Sequence, residues 1–99
     1  MEFLVDIRFD LPGEPEDPRR GELVVAERER GRELLASGRL RRIWRVPGAR
    51  RSVAVWEAPD ATTLDEALAS LPLFPWMQVE VTPLAVHPLE LGGNDPPPA

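Results

Sequence analysis

The sequence predicts an α+β domain in which two helices cover one face of a four-stranded antiparallel sheet. Four segments carry apolar residues in the patterns typical of strands, and two segments carry them at helical spacing. The segments follow one another as strand, helix, strand, strand, helix and strand. The chain of 99 residues is long enough for one domain with one modest core, which we expect to occupy residues 1–91.

The first strand is predicted over residues 2–10, because apolar and polar side chains alternate there. Its apolar positions are Phe3, Val5, Ile7 and Phe9. A proline-rich loop over residues 11–18 ends the strand, and a helix is predicted over residues 19–37. Gly38 is typical of the residue that ends a helix in the left-handed conformation.

Two further strands are predicted in the middle of the chain, over residues 39–47 and 52–58, and a turn at Pro47 and Gly48 joins them. A fourth strand is predicted over residues 76–82.

The second helix is predicted from a capping box, in which Thr63 and Glu66 satisfy the first backbone N–H groups. Pro72 is expected to stop this helix, because proline cannot continue the hydrogen-bond pattern. The final residues, 92–99, have too little apolar content to pack and are expected to be disordered.

This order of elements, β-α-β-β-α-β, is the ferredoxin-like pattern. Its helices leave the second face of the sheet open, yet the predicted strands carry more large apolar residues than one face can hold. An apolar open face in so small a domain is typical of a surface that binds another copy of the same chain, so we expect a homo-oligomer. The residues concerned are Ile43, Trp44, Trp56, Trp76 and Met77.

The composition excludes several classes of protein and site. There are no cysteines, so disulfides and thiolate metal sites are excluded, and the single histidine, His87, is expected to be structural or to lie in an interface. The net charge of −5 argues against a general affinity for nucleic acid. No apolar run reaches the roughly 20 residues that a membrane span requires. We therefore expect a cytoplasmic protein that binds neither nucleic acid nor membrane.

All 12 basic residues are arginines, and half of them cluster between positions 39 and 51. Arginine presents a planar fork of N–H donors that binds a carboxylate through two hydrogen bonds. A basic cluster on an acidic protein therefore indicates a small anionic ligand, with a solvated or intersubunit surface as the alternative. The clustered residues are Arg39, Arg41, Arg42, Arg45, Arg50 and Arg51.

Glu27 is the most unusual residue of the first predicted helix. At roughly 100° per residue it shares one stripe with Leu23 and Leu34, which marks the face that packs on the rest of the protein. Gly31, one turn further on, leaves room beside the carboxylate. Because burial raises the pKa of a carboxyl group toward the range of a general base, Glu27 is a candidate proton acceptor.

An interior ion pair is the alternative explanation for Glu27. Arg30 lies one turn further along the same helix, and Arg45 is expected across the sheet. Either guanidinium would lower the pKa of Glu27 and remove it as a base.

Several short strings of the sequence are informative when they are taken together. In chain order they are EFLV at the start, Glu27, Trp44-Arg45-x-x-Gly48, Leu71-Pro72-Leu73-Phe74-Pro75 and His87-Pro88. Together they resemble the muconolactone Δ-isomerase family of aromatic catabolism. The resemblance covers about residues 1–88, and LPLFP together with WRxxG is its most specific part.

The resemblance implies a ferredoxin-like subunit, dimers built into a decameric ring, and catalysis without a cofactor. It also implies a small anionic lactone as the substrate, because the family converts muconolactone to 3-oxoadipate enol-lactone by a 1,3-proton shift on the β-ketoadipate pathway. Glu27 matches a glutamate implicated in that proton transfer.

The sequence departs from the family pattern after WRxxG. The family typically continues with His-Tyr-x-Asn, whereas this chain has Ala49-Arg50-Arg51-Ser52. We expect Arg45 to bind the substrate carboxylate or to stabilise the dienolate. Arg50 and Ser52 are expected to substitute for the missing polar groups, and Trp44 to form a wall of the pocket.

Two other functions are compatible with these residues. The same fold can act on a different small anionic substrate, because related dimers host monooxygenases, cyclases and dehalogenating lactone enzymes. Alternatively, the chain is a non-catalytic scaffold that binds small anions, which the arginines at 50 and 51 favour.

Overall fold

The computed structural model of this chain describes residues 1–92. Its strands and helices follow in the predicted order, with a short 3₁₀ helix before the last strand and another after it. The elements are β1 (Glu2–Phe9), α1 (Pro18–Ser37), β2 (Leu40–Arg45), β3 (Arg51–Glu57), α2 (Ala61–Ala69), a 3₁₀ helix (Phe74–Trp76), β4 (Met77–Leu84) and a second 3₁₀ helix (Pro88–Leu91).

The strands form one sheet in the order β2-β3-β1-β4, and every neighbouring pair is antiparallel. This topology confirms the ferredoxin-like fold predicted from the sequence. No helix within residues 1–92 combines the length and the apolar character needed to cross a membrane.

Both helices begin at an aspartate. Asp17 accepts a hydrogen bond from the backbone N–H of Arg19, and Pro18 follows as the first helical residue, where its missing N–H costs nothing. The predicted capping box at Thr63 is wrong in its placement. Asp60 is the cap of α2, and its Oδ1 accepts the Thr63 N–H at 2.7 Å, so Thr63 is the third helical residue.

The ends of the elements also differ from the prediction. Helix α2 ends at Ala69, before Pro72, and β4 continues to Leu84. A bulge between Leu40 and Arg42 interrupts the pairing of β2 with β3, and β2 ends at Arg45. Gly38 adopts the left-handed conformation with φ 79°, as expected of a residue that ends a helix.

One face of the sheet packs against the two helices and forms the core. Alternation along each strand brings the buried side chains to this face, because successive side chains point to opposite sides. The core residues are Phe3, Val5 and Ile7 of β1, Ala54 and Trp56 of β3, Leu40 of β2, Leu34 of α1, Leu64 and Leu68 of α2, and Ala58 and Leu71 of the connections.

The other face of the sheet carries no helix. It combines apolar and charged side chains, and Trp44 of β2 remains 43% exposed there. Of the three tryptophans, Trp56 is buried in the core, whereas Trp76 is 37% exposed.

The segment after β4 forms its own short structure. The backbone N–H of Leu89 donates a hydrogen bond of 3.1 Å to Nδ1 of His87, which caps the second 3₁₀ helix. Gly92 ends that helix, and the remainder of the tail predicted to be disordered, residues 93–99, lies outside the described residues.

Candidate functional site

Glu27 lies in the middle of α1 and reaches the connection between α2 and β4. Its Oε1 accepts a hydrogen bond of 2.9 Å from the backbone N–H of Leu73, a residue 46 positions away. The side chain is half-buried, on the stripe with Leu23 and Leu34 that was predicted to face the rest of the protein. Glu27 therefore sits where the helix, the connection and solvent meet.

The Leu73 N–H is available to Glu27, whereas the neighbouring backbone N–H groups of the connection are already hydrogen-bonded or, at the prolines, absent. Pro72 and Pro75 have no N–H, whereas the N–H groups of Phe74 and Trp76 bind the carbonyl groups of Leu71 and Leu73 at 2.9 Å each. The Leu73 N–H has no such local acceptor and points to the carboxylate of α1.

Burial raises the pKa of Glu27 above its ordinary value, because a partly desolvated carboxylate is less stable when charged. The Leu73 hydrogen bond acts in the opposite direction and lowers the pKa, but by less than burial raises it. The result is a carboxyl group whose affinity for a proton is higher than that of a glutamate in water.

No ion pair within residues 1–92 includes Glu27, so the predicted alternative of an interior salt bridge is wrong for this part of the chain. Arg30, although it lies one turn away, binds Oγ of Ser70 through Nε at 3.0 Å and Oε2 of Glu33 through NH1 at 2.9 Å. Arg45 makes no ion pair with the carboxylate either. The carboxylate is thus held by a neutral donor alone.

The space at Gly31, one turn of α1 beyond Glu27, is open. A Cβ placed on Gly31 would meet no atom within 4 Å, as the spacing of Glu27 and Gly31 predicted. Two surface concavities, of about 270 and 390 Å³, lie elsewhere and do not include Glu27. One lies on the open sheet face at Asp6 and Glu80, and the other between the helices at Arg30 and Glu66.

Arg45 and Ser52 lie on the side of the sheet that faces the helices. Ser52 pairs with Ile7 of β1 and with Arg45 of β2, and directly paired residues of an antiparallel sheet share a face. Since Ile7 belongs to the core beneath the helices, Arg45 and Ser52 share the side on which Glu27 lies. Arg45 is exposed and Ser52 is half-buried.

Trp44 and Arg50 do not share the location of Arg45 and Ser52. Trp44 pairs with Val53 on the opposite face of the sheet, where the Arg42 guanidinium lies 4.8 Å from the centre of a Trp44 ring. Arg50 lies in the connection between β2 and β3, and its NH1 binds Oδ1 of Asp10 at 2.9 Å. The structure therefore divides the predicted binding residues among three locations.

Two features of the site and its surroundings were missed by the sequence analysis. The Leu73 N–H is a backbone donor, which side-chain identity does not reveal, although its position between two prolines was a usable signal. The second feature is on the open face, where Arg51 binds Asp6 through two N–H groups, with Nε 2.9 Å from Oδ1. This pair lowers the pKa of Asp6, chiefly through the hydrogen bond from Arg51.

No group of three or more histidine or carboxylate side chains within residues 1–92 is arranged to hold a metal ion. Glu27 is bound by one backbone N–H, and the helix-covered side of the sheet also carries the guanidinium of Arg45 and the hydroxyl of Ser52. Such a set can transfer a proton and bind an anion.

Comparisons with known proteins agree with this fold over nearly its whole length. A family model described as muconolactone delta-isomerase matches residues 1–90. Muconolactone Delta-isomerase of Rhodococcus opacus is 34% identical over 86 residues, covering 85% of this chain and 92% of that protein. The protein of the same name from Pseudomonas aeruginosa is 30% identical over 95 residues, covering 96% and 99%. A crystal structure of muconolactone isomerase superposes with a TM-score of 0.83 at 31% identity, covering 97% of this chain and all (100%) of that one.

Proposed function

Because the chain belongs to the muconolactone Δ-isomerase family, we propose that it catalyses a cofactor-free 1,3-proton shift in an unsaturated lactone bearing a carboxymethyl group. Muconolactone is the proposed substrate and 3-oxoadipate enol-lactone the product. The observation that carries this proposal is the environment of Glu27, which has a raised pKa, one neutral hydrogen-bond donor and open space beside it.

Glu27 acts as the base in this proposal. Its free oxygen, Oε2, takes the proton from the ring carbon that bears the side chain, and the electron pair of the broken C–H bond delocalises into a dienolate. The protonated carboxyl group then returns the proton to the carbon next to the lactone carbonyl, which moves the double bond and restores the carboxylate. One carboxyl group over one face of the ring performs both transfers.

The environment of Glu27 suits both halves of this cycle. Burial makes the carboxylate a stronger base than a glutamate in water, whereas the Leu73 N–H limits the rise in pKa. An arginine paired with the carboxylate would oppose proton uptake, and no such pair occurs within residues 1–92.

Arg45 is proposed to bind the substrate. It shares the helix-covered side of the sheet with Glu27 and makes no ion pair within residues 1–92, so its N–H donors are available for a carboxylate or for the charge of the dienolate. Ser52 offers a hydroxyl on the same face. Arg50 is a weaker candidate for substrate binding, because its guanidinium already binds Asp10.

The test is a proton-exchange assay in D₂O, followed by NMR, with muconolactone as the substrate. The unmodified protein should form the enol-lactone, and Glu27→Gln should lower kcat by roughly 10²–10⁴-fold, the usual contribution of a positioned base. Glu29→Gln, which alters an exposed carboxylate of the same helix, is the matched control. Equal turnover by the unmodified protein and Glu27→Gln would eliminate Glu27 as the base.

A second candidate is the same reaction on a different small anionic lactone. It is favoured by the segment that replaces His-Tyr-x-Asn, because Arg50 of this segment is bound to Asp10 and Arg51 is bound to Asp6 on the open face. A panel of carboxylated lactones in the same assay separates the two, since only the true substrate should exchange deuterium at a rate that depends on Glu27.

We also propose that subunits associate through the open sheet face, with dimers as the unit and a decameric ring as the full assembly. The support is the exposed Trp44 together with the apolar side chains that share its face and have no helix to cover them. These side chains are Leu4, Val53 and Val55.

A further inference from the structure

We propose that Ser70 and Glu33 are positioning residues for the base, because together they bind the guanidinium of Arg30 and keep it from pairing with Glu27. The proposal rests on the proposed role of Glu27 and extends it. It explains how a helix that places an arginine one turn from its base can leave that base without a cationic partner.

Arg30 is the natural ion-pair partner of Glu27 on α1. Side chains three or four positions apart on a helix are neighbours. Of the four such neighbours of Glu27, only Arg30 is charged; the others are Leu23, Val24 and Gly31.

The guanidinium of Arg30 is instead bound on two sides. Its NH1 donates a hydrogen bond of 2.9 Å to Oε2 of Glu33, which lies on the next turn of α1. Its Nε donates a hydrogen bond of 3.0 Å to Oγ of Ser70, at the end of α2. The Arg30 side chain is only 34% exposed, so its position is restricted by packing as well as by these bonds.

Ser70 can act only as an acceptor toward Arg30. Its hydroxyl proton is used in a bond of 2.6 Å to the carbonyl oxygen of Ala67, which leaves the oxygen lone pairs for the guanidinium. The hydroxyl is therefore oriented by α2 to receive Arg30.

The same connection binds both charged groups but keeps them apart. Ser70 takes the guanidinium of Arg30, and three residues later the Leu73 N–H takes the carboxylate of Glu27. A neutral acceptor and a neutral donor, three residues apart, thus replace the direct ion pair that the helix alone would favour.

The other charged groups around Glu27 do not change this conclusion. The connection from Leu71 to Trp76 contains no charged residue, and Arg45 is the charged residue at the strand positions that share the face of Ile7. From α2, Glu66 lines the concavity that also contains Arg30 and Glu33, and it makes no ion pair with Arg30 within residues 1–92.

The experiment follows the carboxyl carbon of Glu27 by ¹³C NMR during a pH titration without substrate, with Glu27→Gln to assign the signal. In Ser70→Ala and in Glu33→Gln, Arg30 should turn toward Glu27 and shift its titration to lower pH. Adding Arg30→Gln to each variant should reverse that shift. In the exchange assay kcat should fall in each single variant, by roughly tenfold at most, and recover in the double variants.

A titration of Glu27 that is the same in Ser70→Ala, Glu33→Gln and the unmodified protein would overturn the proposal. So would a downward shift that Arg30→Gln does not reverse, since the cause would then be another group. Glu29→Gln is the control for loss of a carboxylate from α1 and should leave the titration in place. Because the titration needs no substrate, it gives its answer even if muconolactone proves not to be converted.

Discussion

The backbone N–H of Leu73 lies 2.9 Å from Oε1 of Glu27 and holds the carboxylate without adding a charge. In the proposed mechanism, this pairing leaves Glu27 able to act as the base, because the donor is neutral. A guanidinium in the place of the N–H would lower the pKa of Glu27 strongly, whereas the neutral donor only moderates the effect of burial.

Stability should depend on pH through Glu27. Its pKa is raised in the folded state, so between the ordinary value and the raised value the folded protein binds more protons than the unfolded chain. The contribution of Glu27 to the free energy of unfolding therefore falls as pH rises through that window, and it stays lower above it. Urea denaturation across the acidic range should show Glu27→Gln gaining stability relative to the unmodified protein as pH rises. A difference that does not vary with pH would contradict the raised pKa.

Substrate binding should depend on Arg45 more than on Arg50. A hydrogen bond between two charged groups contributes about 1.5–3 kcal/mol, so Arg45→Gln should raise KM by roughly tenfold or more. Arg50 is already bound to Asp10 in an exposed pair, so Arg50→Gln should change KM much less. Steady-state kinetics by the exchange assay compare the KM values of the two variants. A larger rise in KM for Arg50→Gln than for Arg45→Gln would place the anion site at the β2–β3 connection instead.

The ion pair between Asp6 and Arg51 should stabilise the fold in a pH-dependent way. The pKa of Asp6 is lowered in the folded state, so its contribution is present above the ordinary pKa of an aspartate and is lost as pH falls through the lowered value. Asp6→Asn should therefore lower the urea midpoint at neutral pH, and the difference should vanish in strong acid. Asp10→Asn breaks the exposed pair with Arg50 and is the matched control, for which we expect little change at either pH.

The core between α2 and the sheet should be sensitive to loss of volume. Leu64 is 2% exposed, and Leu64→Ala should reduce the free energy of unfolding by about 2–5 kcal/mol through lost burial and the cavity left behind. Leu35 is 45% exposed, so Leu35→Ala, the matched control, should change it by no more than about 0.5 kcal/mol. Chemical denaturation of both variants measures the contrast, and equal losses would place the core elsewhere.

Assembly through the open sheet face should be broken by a charge at its centre. Val53 is half-buried on that face beside Trp44, and Val53→Glu should shift the protein toward smaller species in size-exclusion chromatography with light scattering. Val25→Glu places the same charge on the exposed side of α1 and should not have this effect. An unchanged molar mass for Val53→Glu would assign the subunit contact to another surface.

Most of the fold could be predicted from local patterns. Alternation at Phe3, Val5 and Ile7 indicates a strand with one buried face. The order of the elements then indicates the ferredoxin-like topology, which the sheet has. The error at α2 has a simple origin, because Asp60 and Thr63 are both common capping residues and lie three positions apart. Local propensity does not distinguish them, whereas the backbone conformation does.

The sequence by itself determined that Glu27 lies on an apolar stripe of α1 with open space at Gly31. Only the tertiary structure decided which groups meet that carboxylate. The Leu73 N–H approaches it from 46 positions away, Ser70 holds Arg30 from across the helix pair, and strand alternation sends Trp44 to the opposite face. Helical and strand periodicity is a property of neighbouring residues and can be read from sequence, but a contact between distant segments depends on how the packed elements are oriented. Burial between the packed elements raises the pKa of Glu27 and the Leu73 N–H lowers it in part, so both causes come from the tertiary structure.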